Sequence, residues 1–320
     1  MQTKEQFKLQ EILSEVKKLP EWVKDYELNH HSPSQLNNID GKWCYEYLYL
    51  SQKQRRKIYF GSRADAGTAI AKGLQFIYSD YEWEKDAAGN YNKNKIKKIE
   101  GKQAPNRAFD VTLDYYNKKF TNHDTEKYQF KDNLERLPGV FHTAVKAFAE
   151  INLKGEVESE RNVFINLLGC ILPCIGRPDF ENKTHFIELK TKWRRKGRTI
   201  RADGSPAFNY VKLKDQPDAA HVLQTQFYAM ATGKKPILCV VNEDSYKIFD
   251  DTHPALSKNF QPKILKQMTL IARRRERLMA RHNGKKTFFM DVEPQFNHMF
   301  AWNYLEGNHK EIAEDLWLKS

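Results

Sequence analysis

Asp179, Glu188 and Lys190 are the residues of this chain whose types and spacing best suit chemistry. They lie on or directly after two short apolar runs, 170–180 and 185–189, joined by the polar turn Glu181-Asn182-Lys183-Thr184. That pattern predicts a β-hairpin. Glu188 and Lys190 are two apart, so on a strand they share a face while Leu189 turns into the core. Asp179, at the end of the first strand, can meet Glu188 across the turn. Two neighbouring carboxylates repel as anions and destabilise a fold unless a cation sits between them. The hard cation suited to such oxygens is Mg²⁺, with Mn²⁺ as a substitute. A lysine beside them can hold and polarise a water. The set suits metal-dependent hydrolysis of phosphodiesters.

Other elements must place these groups. Asp218 and Gly233 bracket a predicted helix over 218–232, and His221, Gln224 and Tyr228 fall on one face of it. On pattern alone this is an ordinary amphipathic helix. Residues 236–241 and 246–249 read as strands. A helix between strands 185–190 and 236–241 predicts a crossover onto a mixed sheet. Upstream, 3–28 and 109–150 read as helical. His142 on the second stretch reads as a surface or packing residue. The span 156–168 reads as a strand or hairpin arm, and Glu160 on it as a solvated side chain, with a third site carboxylate as the alternative. Residues 84–107 read as a polar loop, 261–283 as a basic helix that is either solvated or a channel wall, and 300–318 as a closing helix. The connection over 191–217 interleaves cations with Trp193, Phe208 and Tyr210. That mixture suits a strand of DNA, with an exposed insertion as the alternative.

The chain has 320 residues, 40% of them apolar, and a net charge of +12. The length suits one large domain or a core with a helical attachment, and the charge favours an anionic partner. Cys44, Cys170, Cys174 and Cys239 form no Cys-x-x-Cys pair, and no disulfide framework is expected. No signal peptide or membrane-length apolar run is seen, which predicts a cytoplasmic protein. No P-loop accompanies these features.

Pro178-Asp179 followed by Glu188-Leu189-Lys190 resembles the signature of the PD-(D/E)xK nuclease superfamily. Within it the chain is similar to the RecB-type exonucleases, which include phage exonucleases and the mitochondrial genome maintenance exonuclease. Three further motifs carry the resemblance. His221-x-x-Gln224-x-x-x-Tyr228 is similar to that group's His-x-x-Gln-x-x-x-Tyr helix. Ser32-x-Ser34-x-Leu36 ahead of Cys44 and its aromatic neighbours is similar to the group's opening. Gly67-Thr68-Ala69-Ile70-Ala71 resembles its Gly-Thr-x-x-His helix, but Ala71 stands where the family often has a metal-ligating histidine.

The resemblance implies a restriction-endonuclease-like α/β fold with a mixed sheet flanked by helices. It divides the chain into a helical N-terminal region over 1–150 forming part of a DNA channel, a nuclease core over 151–255, and C-terminal helices over 256–320. It implies a metal-dependent DNA exonuclease, of phage type and in the host cytoplasm if phage-encoded. Asp179, Glu188 and the Leu189 carbonyl would hold Mg²⁺ or Mn²⁺. Lys190 would orient or help deprotonate the attacking water, and Gln224 and Tyr228 would support. Arg177, Lys192, Trp193, Arg194, Arg195, Tyr210 and Lys212 are the candidate contacts to linear single- or double-stranded DNA. In some members a cysteine at the place of Cys44 ligates an iron–sulfur cluster with three later cysteines. No cysteine follows Cys239, so Cys44 is expected to pack and no cluster is expected. A structure-specific or restriction-like endonuclease and a non-catalytic DNA-binding protein on a nuclease fold are the alternatives.

Overall fold

The protein's structure, a computed structural model, describes residues 19–38, 43–55, 61–78, 81–85, 91–98, 105–119 and 126–283. Most of the helix expected over 3–28 and all of the closing helix over 300–318 lie outside the described residues. Packing divides the chain into two compact units. Unit 1 comprises Met1–Tyr59, Phe164–Gly176 and Pro262–Ser320, and unit 2 comprises Phe60–Val163 and Arg177–Gln261.

The elements used below are, in chain order, helix α1 (Ser62–Tyr78), strands β1 (Tyr81–Lys85) and β2 (Tyr91–Lys98), and helices α2 (Pro105–Asn117) and α3 (Lys127–Ile151). Strands β3 (Glu158–Ser159), β4 (Val163–Ile165), β5 (Cys174–Gly176), β6 (Phe180–Glu181), β7 (His185–Thr191), β8 (Arg195–Ile200) and β9 (Pro206–Asn209) follow. Helix α4 (Ala219–Thr232), strands β10 (Lys235–Val241) and β11 (Tyr246–Phe249), and helix α5 (Gln261–His282) complete the set.

Unit 2 is built on a five-stranded sheet in the order β11-β10-β7-β6-β3. Strands β7 and β10 are parallel, and the other pairs are antiparallel. The expected crossover through α4 is therefore present. The expected hairpin is present only in its last part: β6 pairs with β7, whereas Cys174–Gly176 is a separate strand. Strand alternation sorts the two faces. Ile187, Leu189, Ile237, Cys239 and Val241 share one apolar cluster with Ala66, Ile70 and Leu74 of α1 and Leu137, Phe141 and Phe148 of α3. On the other face Phe186 meets Tyr228 of α4 edge-on, at 5.9 Å between ring centres. The unit is thus a mixed α/β fold, with helices on both faces of the sheet. Gly67 lets α1 come close to β7, because a Cβ there would lie 2.8 Å from the Thr191 hydroxyl oxygen.

Three expectations are corrected in unit 2. The described residues of the loop expected over 84–107 belong to the antiparallel ribbon β1–β2 and the start of α2. The Lys- and Asn-rich sequence there has too few apolar residues for a period of two to show. The helical stretch read over 109–150 is two helices. The connection over 191–217 contains a second antiparallel ribbon, β8–β9, hidden for the same reason.

In unit 1 the Ser32 hydroxyl accepts the Gln35 amide and Gln35 answers to the Ser32 amide, a capping box on the short helix Pro33–Leu36. Cys44 begins a π-helical turn, Cys44–Tyr49, and is buried among Val23, Trp43, Tyr45, Leu48 and Met279. Helix α5 is more than a solvated or channel-facing basic helix. Its Arg275 is 1% exposed, lies 4.6 Å over the Trp43 ring, and donates to the Gln35 (2.8 Å) and Asn38 (2.7 Å) carbonyls. Neighbouring Glu276 accepts the amides of Ile171 and Leu172 at 2.7 and 2.8 Å.

Candidate active site

Asp179, Glu188, Lys190, Gln224 and Tyr228 lie together in unit 2. Asp179 sits just before β6, where its Oδ2 accepts the Leu189 amide at 2.7 Å. Glu188 and Lys190 leave the α4 face of β7, and Lys190 Nζ lies 2.6 Å from Glu188 Oε1. The same ammonium donates to Gln224 Oε1 (3.0 Å), and Gln224 Nε2 donates to the Tyr228 hydroxyl oxygen (3.1 Å). Gln224 and Tyr228 are one helical turn apart, so α4 presents both to β7. The helix ends as expected at Gly233, which takes the left-handed backbone (φ 69°) that glycine adopts freely. Asp218 occupies the N-cap position, but its carboxylate makes no cap bond and pairs instead with Lys192 (2.9 Å) and Lys214.

Electrostatics separates the roles of the three charged groups. Burial, and then the charge of Glu188, push the Asp179 carboxyl well above the usual carboxylate range, against the opposing pull of Lys190 and the Leu189 amide. Burial of Lys190 disfavours its charge, yet Glu188 and Asp179 outweigh that and raise its pKa. Lys190 is therefore an ammonium at neutral pH, a donor and fixed charge rather than a ready base. Glu188 is 1% exposed, and burial raises its pKa against the opposing pull of its ion pair and hydrogen bond with Lys190. Its second oxygen, Oε2, is buried with no hydrogen-bond partner. Tyr228 is raised by burial and by Glu188, so it stays a neutral phenol. His221 is lowered to about 4 by burial and by Lys190 and Lys192, so it is neutral above pH 5.

This donor set fits a divalent cation. One carboxylate oxygen, Glu188 Oε2, has no hydrogen-bond partner, and the charge of Glu188 disfavours ionisation of the neighbouring Asp179. The amide and carbonyl of one strand residue point to the same edge, so the Leu189 carbonyl shares the side on which its amide meets Asp179. Among the described residues no group of three or more His, Cys, Asp or Glu side chains could hold a metal ion. A cation here would complete its shell with water or substrate oxygens, as Mg²⁺ does readily.

The site opens into a cleft of about 540 Å³ lined by Asp179, Glu188, Leu189, Lys190, Gln224, Lys192, Trp193 and Arg195, with α1 contributing Arg63, Gly67, Thr68 and Ala71. Arg63, Gly67 and Ala71 recur every four residues, so one face of α1 forms this wall. Arg63 and Lys72 were not singled out from the sequence, although this spacing could have shown Arg63.

Glu160 is corrected from a solvated strand residue to a wall of the cleft. Its backbone is left-handed (φ 52°), a strained state for a residue with a Cβ. Its Oε1 accepts from Lys72 (3.2 Å) and Gln75 (3.0 Å), and its charge adds to that on Asp179.

The candidate DNA contacts divide. Lys192, Trp193 and Arg195 line the cleft. Trp193 is only 5% exposed and its indole donates to Thr191, so it packs rather than offering a face for a base. Arg194 is held by Glu243 at 2.6 Å, and the Tyr210 hydroxyl donates to Asp244 at 2.7 Å. Arg177 is half-exposed, 3.9 Å from Glu160, and Lys212 is exposed. His142 is exposed on α3. No helix among the described residues is long and apolar enough to cross a membrane.

No protein-family model and no curated protein matches the sequence. A solved structure described as "Crystal structure of SSO0001" is similar over 46% of this chain, at 19% identity and a TM-score of 0.25. The match spans 66% of that chain, just under two thirds of its length.

Proposed function

We propose that the chain is a metal-dependent DNA exonuclease of the PD-(D/E)xK type, with a restriction-endonuclease-like core in unit 2. The observation that carries the reading is the convergence of Asp179, Glu188, Lys190 and Gln224 in one cleft, with Tyr228 hydrogen-bonded to Gln224 and Glu188 Oε2 left unpartnered. Asp179, Glu188 and the Leu189 carbonyl would hold Mg²⁺ or Mn²⁺, whose charge would stabilise the phosphate oxygens as hydrolysis proceeds. Lys190, kept protonated, orients the attacking water by donating to it and offsets negative charge at phosphorus. Gln224 holds the lysine in place, and Tyr228 holds Gln224. Arg63, Lys192 and Arg195 offer cations to phosphates along the strand. The alternatives are a restriction-like endonuclease and a DNA-binding protein without activity.

The test is digestion of end-labelled linear DNA, single- and double-stranded, beside a closed circle, in Mg²⁺ and in EDTA, with Lys190→Ala in parallel. Loss of linear DNA alone, dependent on metal and abolished by Lys190→Ala, is the expected result. Cutting of the circle would move the assignment to an endonuclease. Salt-sensitive binding without any cutting would leave a DNA-binding protein. Mg²⁺ or Mn²⁺ at a hundred times its dissociation constant should also stabilise the fold by about 2.7 kcal/mol.

A further inference from the structure

The cations of the 191–217 segment are not equivalent. Near the sheet they are engaged: Lys192 and Lys214 with Asp218, and Arg194 with Glu243. Further out, on the β8–β9 ribbon, Arg195, Lys196 and Arg198 are exposed and make no ion pair among the described residues. The ribbon's carboxylate, Asp203, is turned into its own tip, where its Oδ1 accepts the Ser205 amide (2.9 Å) and hydroxyl (2.6 Å). Ile200 is 58% exposed at the far end of β8. The ribbon is irregular: Lys196 pairs with Phe208 and Ile200 with Pro206, so β8 carries extra residues opposite Ala207. Bulges of this kind bend and twist a ribbon. Its root, Arg195, lines the cleft.

A two-stranded ribbon with one exposed strand rich in uncompensated cations, and an apolar residue toward its tip, matches the major groove of a duplex. That groove is about 12 Å wide and admits such a ribbon, with cations for phosphates and an apolar side chain for base edges or sugars. Because β8 is bulged, the regular partner strand sets the length of the ribbon: from Pro206 to Asn209 it extends about 10 Å at ~3.4 Å per residue, which is about three base pairs at ~3.4 Å each. Continuity with the cleft favours a nucleic acid over an acidic protein, because one polymer can occupy both. We infer that the β8–β9 ribbon grips a double-stranded flank of the same nucleic acid whose strand enters the cleft. This rests on the cleft being a nucleic-acid site but not on its cutting.

The experiment is fluorescence anisotropy in EDTA with the full chain and three probes: a single strand, and the same strand continued into a duplex on its 5′ or its 3′ side. Wild-type protein should bind one tailed duplex at least about tenfold tighter than the single strand, with a log K against log salt slope steeper by about two, near 0.9 per phosphate. The triple variant Lys196→Gln, Arg198→Gln, Ile200→Ser should lose that gain and the added slope. Its single-strand affinity should change much less, and an unaltered melting temperature will show that the exposed hairpin tolerates the changes. Retention of the gain by the variant, absence of any gain in the wild type, or an equal loss on the single strand would each overturn the inference. Parallel digestion in Mg²⁺ separates the two readings. A ribbon-dependent gain without cutting defeats only the nuclease assignment, and normal cutting without the gain defeats only this one.

Discussion

At the scale of single residues, Asp179 carries the tension of the site. Its folded pKa lies above its unfolded value, so the unfolded chain ionises first as pH rises, and stability is lost from the ordinary carboxylate range upward. Asp179→Asn keeps an acceptor for the Leu189 amide and removes the charge. In metal-free buffer at pH 7 to 8 it should raise the melting temperature, by about 2–4 °C for each kcal/mol gained, and it should abolish metal-induced stabilisation. His221 acts in the opposite direction. Its folded pKa of about 4 lies below the ordinary value, so its contribution is intact above pH 6.5 and is lost as pH falls toward 4. In His221→Gln that part of the acid-side loss should disappear from a urea-unfolding series against pH. A profile unchanged between pH 6.5 and 4 would show that His221 does not carry it.

At the scale of elements, α1 and β7 define the cleft by approaching closely at Gly67. Gly67→Ala would place a methyl 2.8 Å from the Thr191 oxygen, and overpacking of this sort costs about 1–3 kcal/mol. Urea unfolding should show that loss, and pairing with Thr191→Ala should recover most of it. What was legible in the sequence was what short periods encode. Two-residue spacing put Glu188 and Lys190 on one face of a strand, and four-residue spacing put Gln224 and Tyr228 on one face of a helix. The ribbons β1–β2 and β8–β9 were not legible, because their Lys-, Arg- and Asn-rich sequences show no apolar alternation. Glu160 escaped for a different reason. Its place depends on a left-handed backbone and on Lys72 and Gln75, which come from far away in sequence, and neither leaves a local pattern. The same holds for Arg275, one cation in a row of cations, which is distinguished only by distant Trp43, Gln35 and Asn38.

At the scale of the whole molecule, the two units are threaded through each other in sequence: unit 1 takes three segments and unit 2 takes two. Arg275→Met tests how much the late segment matters to unit 1. It strips the donor from the Gln35 and Asn38 carbonyls, at about 1–3 kcal/mol for each buried group left unsatisfied, and a loss of that order should appear in denaturant titration. The threading also sets a timetable during synthesis. Every segment of unit 2 has left the ribosome once Gln261 has emerged, whereas the Trp43 cluster of unit 1 still awaits Arg275 and Met279 from α5. At about 5–20 residues per second, that helix takes roughly one to four seconds to translate. Through that interval the nascent chain already holds every segment of the cleft, while the apolar cluster of unit 1 stays open for want of its last segment.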